Sequence, residues 1–189
     1  MMNLFVIAGH HGDAPGARAY DGSYEHDYTT RLQKLIAKER HVCEFEGSLI
    51  KDQDDQLLNQ VIRMINEQAG KRDYGLDIHF NPNLEGASGT EVFVHANTTR
   101  TNKRIATELA EVTSDLLEIP LRRGSGKRVY KYPWESHPGR LGIIDKTNIP
   151  MILWEVCFLT KQDMEKFFKN ERELAWRVTS IYGRHFKRF

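Results

Sequence analysis

Cysteine is nearly absent: 189 residues contain two, Cys43 and Cys157. That excludes a disulfide-dense secreted scaffold and makes synthesis in a reducing cytoplasm the expectation. Charge of one sign is missing too. The 27 basic and 26 acidic side chains leave a formal net charge of +1, so bulk electrostatics point to neither a nucleic acid nor a membrane as partner. No long hydrophobic run exists at the start of the chain. The opening "MMNLFVIAG" is apolar for only a few residues, has no basic leader and runs straight into "HHGD". It is too short for a signal-peptide core or a membrane span. Low-complexity tracts are lacking, and 40% of the residues are hydrophobic, which excludes a disordered chain. The helical metalloprotease motif HExxH is also absent, so any metal site must be assembled from separate elements.

What is present is alternation. Residues 3–8, "NLFVIA", read as a short buried strand stopped by Gly9. From Glu25 the spacing turns helical, with Tyr28, Leu32, Leu35 and Ile36 on one stripe. "HVCEF" (41–45) is β-prone, and a second helix is expected from about Asp54 to Gly70. "GLDIHF" (75–80) alternates, placing Leu76, Ile78 and Phe80 on one face and Asp77 and His79 on the other. "EVFVH" (91–95) is a further strand, followed by a helix carrying Ile105, Leu109, Val112 and Leu116. "PMILWEV" (150–156) is the most hydrophobic strand, and Thr160 with Asp163 suggests a capping box for a last helix. Strands alternating with helices of this length predict an α/β fold: a central, mostly parallel twisted sheet with helices on both faces, in a single domain spanning 1–189.

In such sheets ligands bind at the carboxyl ends of the strands. His10, His79 and Glu155 all fall near strand ends, and so share one expected rim. A catalytic zinc needs three nitrogen or oxygen ligands and one open position, which makes His10 and His79 candidates. Glu25 opens the first helix on its inward stripe; taken alone it reads as a carboxylate favourable to the helix dipole. His11 adjoins His10, and neighbours in an extended chain point apart, so one of the two is expected at a metal, and His10 is preferred. His26 is expected to be exposed, while His95 and His137 could line the cleft.

Four blocks, "AGHHGDAPGA", "YEHDYTTRL", "DIHFN" and "IPMILWEVCFLTKQDME", resemble in order and spacing the signatures of the zinc-dependent N-acetylmuramoyl-L-alanine amidases. The resemblance runs from residue 4 to about residue 186. It implies that His10, Glu25 and His79 bind one zinc ion, and that Glu155 is the catalytic carboxylate. It also implies hydrolysis of the amide between the muramyl lactyl group and L-alanine in peptidoglycan. Three positions depart from the family pattern. Ile7 replaces the usual acidic residue before the first histidine, Asp77 a usual small hydroxyl residue, and Cys157 a usual glycine. Asp77 shares a strand face with His79 and could supply the carboxylate that metal-bound histidines need behind them. Cys157 reads as a small buried residue.

The stretch at about 122–140, "RRGSGKRVYKYPWESHPGR", interleaves Arg122, Arg123, Lys127, Arg128 and Lys131 with Tyr130, Tyr132 and Trp134. A solvated loop is the default, and nucleic-acid stacking is conceivable for such a composition. With the amidase resemblance, Arg122, Arg123, Lys127, Arg128 and Trp134 become candidates for contact with the cell wall. No wall-binding module is expected after the last helix, and the expectation is a monomer similar to a small phage endolysin, made in the cytoplasm and acting on the wall after release. The competing readings are another zinc peptidase or amidohydrolase with the same ligands, and a non-catalytic wall-binding module of the same fold. The presence of all three ligands together with Glu155 argues against the second.

Overall fold

A computed structural model describes residues 2–40, 48–52, 56–136 and 139–186. The elements are β1 (Asn3–Ala8), α1 (Glu25–Glu39), β2 (Ser48–Lys51), α2 (Leu58–Gln68), β3 (Tyr74–Asn81), β4 (Glu91–Val94), α3 (Arg100–Leu117), α4 (Gly142–Lys146), β5 (Met151–Phe158) and α5 (Lys161–Phe186). The strands form one sheet in the order β2-β1-β3-β5-β4. All neighbouring pairs are parallel except β4 with β5, so the expected mostly parallel α/β sheet is what forms. The segment expected as "HVCEF" and the expected start of the second helix fall wholly or partly outside the described residues; α2 is regular from Leu58.

Strand pleating divides the core into two layers. Leu4, Val6, Leu76, Ile78, Ile152 and Trp154 meet α1, α3 and α5 on one face. Phe5, Ile7, Phe93 and Leu153 meet Val61, Ile62 and Ile65 of α2 and Ile143 and Ile144 of α4 on the other. The first layer is thick and is roofed by the long α5. The second is thin, because α4 has only 5 residues, and a cavity of about 370 Å³ remains between it and the sheet rim. Asp77 and His79 have the parity of Ile7 and Leu153 and stand on this thin side.

The Thr160–Asp163 pair does more than cap α5. Asp163 N–H donates weakly to Thr160 Oγ1 at 3.4 Å, while the Asp163 carboxylate accepts from Ser88 Oγ, Gly89 N–H and Phe158 N–H. It thereby ties the end of β5 to the turn before β4. No helix among the described residues is long and apolar enough to cross a membrane.

Candidate metal centre

β1 ends at Ala8, and the next two residues make the turn from which the site is built. Gly9 N–H still pairs with Ile78 carbonyl at 2.9 Å, extending the β1–β3 ladder. A side chain at Gly9 would place its Cβ 2.6 Å from the imidazole of His79, so glycine alone lets that ring lie against the backbone. His10 then adopts the left-handed conformation at φ 68°. This is an uncommon state for a residue with a side chain, and such states concentrate at functional sites. The turn swings the ring toward α1. At Gly16, φ +79°, an added Cβ would lie 2.6 Å from Glu25 Oε2 and 2.7 Å from His10 Cδ2. Glycines flank the histidines because the backbone passes within contact distance of the site.

Glu25, the first residue of α1, is 4% exposed. Its carboxylate faces His10 Nε2 at 3.0 Å and His79 Nδ1 at 3.0 Å, and accepts from Ala17 N–H and Phe80 N–H. The ordinary role of a first-turn carboxylate falls instead to Asp27, which accepts from Tyr24 N–H. Burial raises the pKa of Glu25, but the hydrogen bonds from His10 and His79 outweigh it and hold the group below the usual carboxylate range. On His79 burial works against charge, yet Asp77, by charge and hydrogen bond, and Glu25 together raise its pKa well above the ordinary value. The remaining ring nitrogen, Nε2, lies 3.2 Å from Asp77 Oδ2.

Donor atoms of His10, Glu25 and His79 all lie within 4.8 Å of one another. Two imidazoles and a carboxylate, partly screened from solvent and held by the backbone, are the donor set that zinc takes in open, three-ligand sites. The backbone of His11 is bridged to Ala14 and His11 lines the cavity beside the centre, but of the two neighbouring histidines it is His10 that belongs to the convergent set. His26 is half-buried rather than exposed, with Nδ1 enclosed. His95 is exposed and accepts Asn97 N–H, in a depression formed with Lys71 and Asn148 and away from this centre. His137 lies outside the described residues.

Glu155 is the register partner of His79 on β5. Its Oε2 is enclosed with no hydrogen-bond partner among the described residues. Burial drives its pKa up to about 8, against the lowering effect of the His79 charge and with further upward pushes from Glu25, Glu91 and Asp77. Across the antiparallel pair Glu155 faces Glu91, 6% exposed, which ion-pairs with Lys131. Glu91 escaped notice in the sequence because "EVFVH" reads only as a strand, and nothing local says which strand lies beside it. Asp52, at the end of β2, was missed as well. It accepts from Ala8 N–H and Gln33 Nε2, lines the cavity, and is raised to about 6 by burial.

The described part of the basic and aromatic stretch, residues 122–136, carries exposed side chains on a backbone that is tied to the sheet edge. Arg122 N–H pairs with Thr90 carbonyl and Lys131 N–H with Val92 carbonyl, along the free edge of β4. Glu135 is its hub. The carboxylate accepts from Ser125 N–H, Tyr132 N–H and Arg128, and these bonds pull its pKa down to about 2 although burial opposes them. Arg128 also lies 4.5 Å over the ring of Tyr132, and Arg122 sits 5.1 Å over Phe158 and 3.8 Å from Glu91. Arg123 and Lys127 point outward, and Trp134, at 61% exposure, rests on Tyr132 at 4.7 Å.

The sheet rim thus brings together two histidines and a carboxylate that could hold a metal ion, with Glu155 alongside, its Oε2 without a hydrogen-bond partner among the described residues. The chain belongs to the Amidase_3 family of N-acetylmuramoyl-L-alanine amidases, whose family model matches residues 4–182. Its fold is similar to that of the N-acetylmuramoyl-L-alanine amidase from Clostridium difficile 630, at 17% identity and TM-score 0.74, over 98% of this chain and 95% of that one. The catalytic domain of CwlV, an N-acetylmuramoyl-L-alanine amidase from Bacillus (Paenibacillus) polymyxa var. colistinus, gives 17% identity and TM-score 0.71 over 100% and 97% of the two chains. The catalytic domain of the CD27L endolysin targeting Clostridia Difficile gives 18% and 0.72 over 96% and 97%. No curated protein sequence matches the chain.

Proposed function

We propose that the chain hydrolyses the amide between N-acetylmuramic acid and L-alanine in peptidoglycan, with one zinc ion held by His10, Glu25 and His79. The convergence of those three side chains beside an unpartnered Glu155 carries this reading. Held there, a zinc ion would supply Lewis-acid polarisation of the amide carbonyl and a water that is nucleophilic near neutral pH. Glu155 accepts the proton of the attacking water and returns it to the departing L-alanine nitrogen. Its position suits that role: it is the register partner of His79 on β5, and its Oε2 makes no hydrogen bond among the described residues. Glu25 keeps its charge, because its acceptor sites are filled by backbone N–H groups and by the two imidazoles.

Digestion of purified peptidoglycan should release new L-alanine amino termini without new reducing sugar ends. Reducing ends would indicate cleavage of the glycan instead, and free D-alanine would indicate a carboxypeptidase.

The lobe on β4 is proposed to meet the wall, chiefly through the exposed Arg123, Lys127 and Trp134, since Arg122 and Arg128 are held by carboxylates and aromatic rings of the fold, whereas Arg123 donates to the Lys127 carbonyl within the exposed turn. Replacing Arg123 and Lys127 with serine should weaken sedimentation with whole walls at low salt. The deficit should shrink as salt rises, because exposed charges are screened beyond about 8 Å at physiological ionic strength. Arg128→Ser should instead loosen the Glu135 hub and lower the melting temperature. Equal wall binding by the Arg123/Lys127 variant and the parent at low salt would remove the lobe from wall recognition.

A further inference from the structure

Asp77 is a carboxylate buried where nothing apolar can use it. It is 3% exposed, set in the thin layer beside Ile7 and Leu153, its register partners on β1 and β5. Among the described residues its side chain is hydrogen-bonded to His79 Nε2, at 3.2 Å. A carboxylate taken out of water costs several kcal/mol of effective desolvation unless it is paired. Asp77 also lines the cavity that Asp52 and Arg140 border, but its hydrogen bond is made to the ring of His79, which points to work done on that ring.

The orientation of His79 says what the work is. Its Nδ1 turns toward Glu25 and the convergent donor set, and Nε2 points the opposite way, into Asp77. An imidazole can give a lone pair to a metal at one nitrogen only if the other carries the proton, and the group accepting that proton selects the tautomer. We infer that Asp77 is the positioning residue of the metal centre, holding the proton of His79 on Nε2 so that Nδ1 is free for zinc. The inference rests on the zinc reading above.

The sheet register adds a second element. Ile7 and Asp77 are direct partners across β1 and β3, and both line the cavity that His79 borders. Two of the departures seen in the sequence, an aliphatic residue on one strand and a carboxylate on the other, thus fall on a single register pair. An acidic side chain placed at position 7 would therefore stand beside position 77 in the same cavity.

The test is zinc affinity, measured by competition with a graded series of chelators at fixed pH, with no substrate present. Asp77→Ser should weaken zinc binding by about 10–100-fold, the usual effect of removing a carboxylate behind a ligating histidine. Asp77→Asn, whose amide oxygen still accepts the Nε2 proton but carries no charge, should fall between the parent and the serine variant. The double variant Ile7→Asp/Asp77→Ser should recover most of the loss. In the zinc-loaded parent, nitrogen NMR of the imidazoles should find the His79 proton on Nε2. Ile7 is 3% exposed, so where the double variant does not fold, the asparagine affinity and the tautomer decide. Unchanged affinity in the asparagine and serine variants overturns the inference, as does a His79 proton on Nδ1 or a folded double variant no better than Asp77→Ser. A parent protein that takes up no zinc overturns this inference and the zinc reading together. A parent that binds zinc beside an Asp77→Ser that binds it equally overturns this inference alone.

Discussion

Glu155→Gln should lower peptidoglycan hydrolysis by about 10²–10⁴-fold, the usual worth of a general acid–base, while metal content and wall binding stay at parental levels. Glutamine keeps the shape of the side chain but cannot take a proton from water at any working pH. A second consequence separates the catalytic role from a structural one. In the metal-free protein the Glu155 pKa is raised to about 8, mainly by burial, whereas an unfolded glutamate titrates at about 4.3. Between those values the folded state holds a proton that the unfolded state has released, so this group's contribution to stability falls as pH rises. The penalty is complete above about pH 8. Glutamine carries no such penalty, and the melting temperature of the metal-free variant should gain on that of the parent from pH 5 to pH 8. A structural carboxylate that ends a buried strand on a basic partner would behave in the opposite way: the variant would melt lower and its folded fraction would clear walls at a normal rate. Metal content, melting curves at two pH values and clearing rate on one preparation separate the cases.

The sequence made the site legible to the extent that strand ends share a rim. Alternation in "GLDIHF" put Asp77 and His79 on the face opposite Leu76 and Ile78, and the structure divides them in that way. The apolar stripe of the first helix gave α1, with Tyr28, Leu32 and Ile36 buried. What pattern reading cannot supply is adjacency. Parity states which face a residue takes but not which strand is its neighbour, so the antiparallel placement of β4 against β5, and with it Glu91 opposite Glu155, was hidden. The lobe was hidden for a different reason. Its order comes from one carboxylate, Glu135, gathering two backbone N–H groups and a guanidinium, and from backbone pairing to the β4 edge. Composition registers the charges there without showing that Arg128 is already committed. The left-handed turn at His10 was likewise beyond the pattern, since it follows from the close passage of the chain at Gly9 and Gly16.

His10→Ala and His79→Ala should each reduce bound zinc from about one ion per chain to a small fraction, and hydrolysis should fall to background with it. A site of three protein ligands cannot spare one. The two variants should nevertheless differ in stability, because the two rings have different duties. The His10 side chain is 31% exposed and faces Glu25 alone among the carboxylates, so its loss leaves Glu25 with His79 and two backbone N–H groups. The His79 side chain is 19% exposed and stands between Glu25 and Asp77. Its removal leaves Asp77, 3% exposed, without its hydrogen-bond partner. Stripping the partner from a buried charge costs about 3–5 kcal/mol when the remaining group stays ionised. The metal-free His79→Ala protein should therefore melt well below metal-free His10→Ala, although the two lose zinc alike. Adding Asp77→Ala to His79→Ala should recover part of that stability, since the orphaned charge is then gone, and should restore no zinc. Full zinc occupancy in both single variants would assign the metal to other donors. Equal melting temperatures would mean that Asp77 does not depend on the ring of His79.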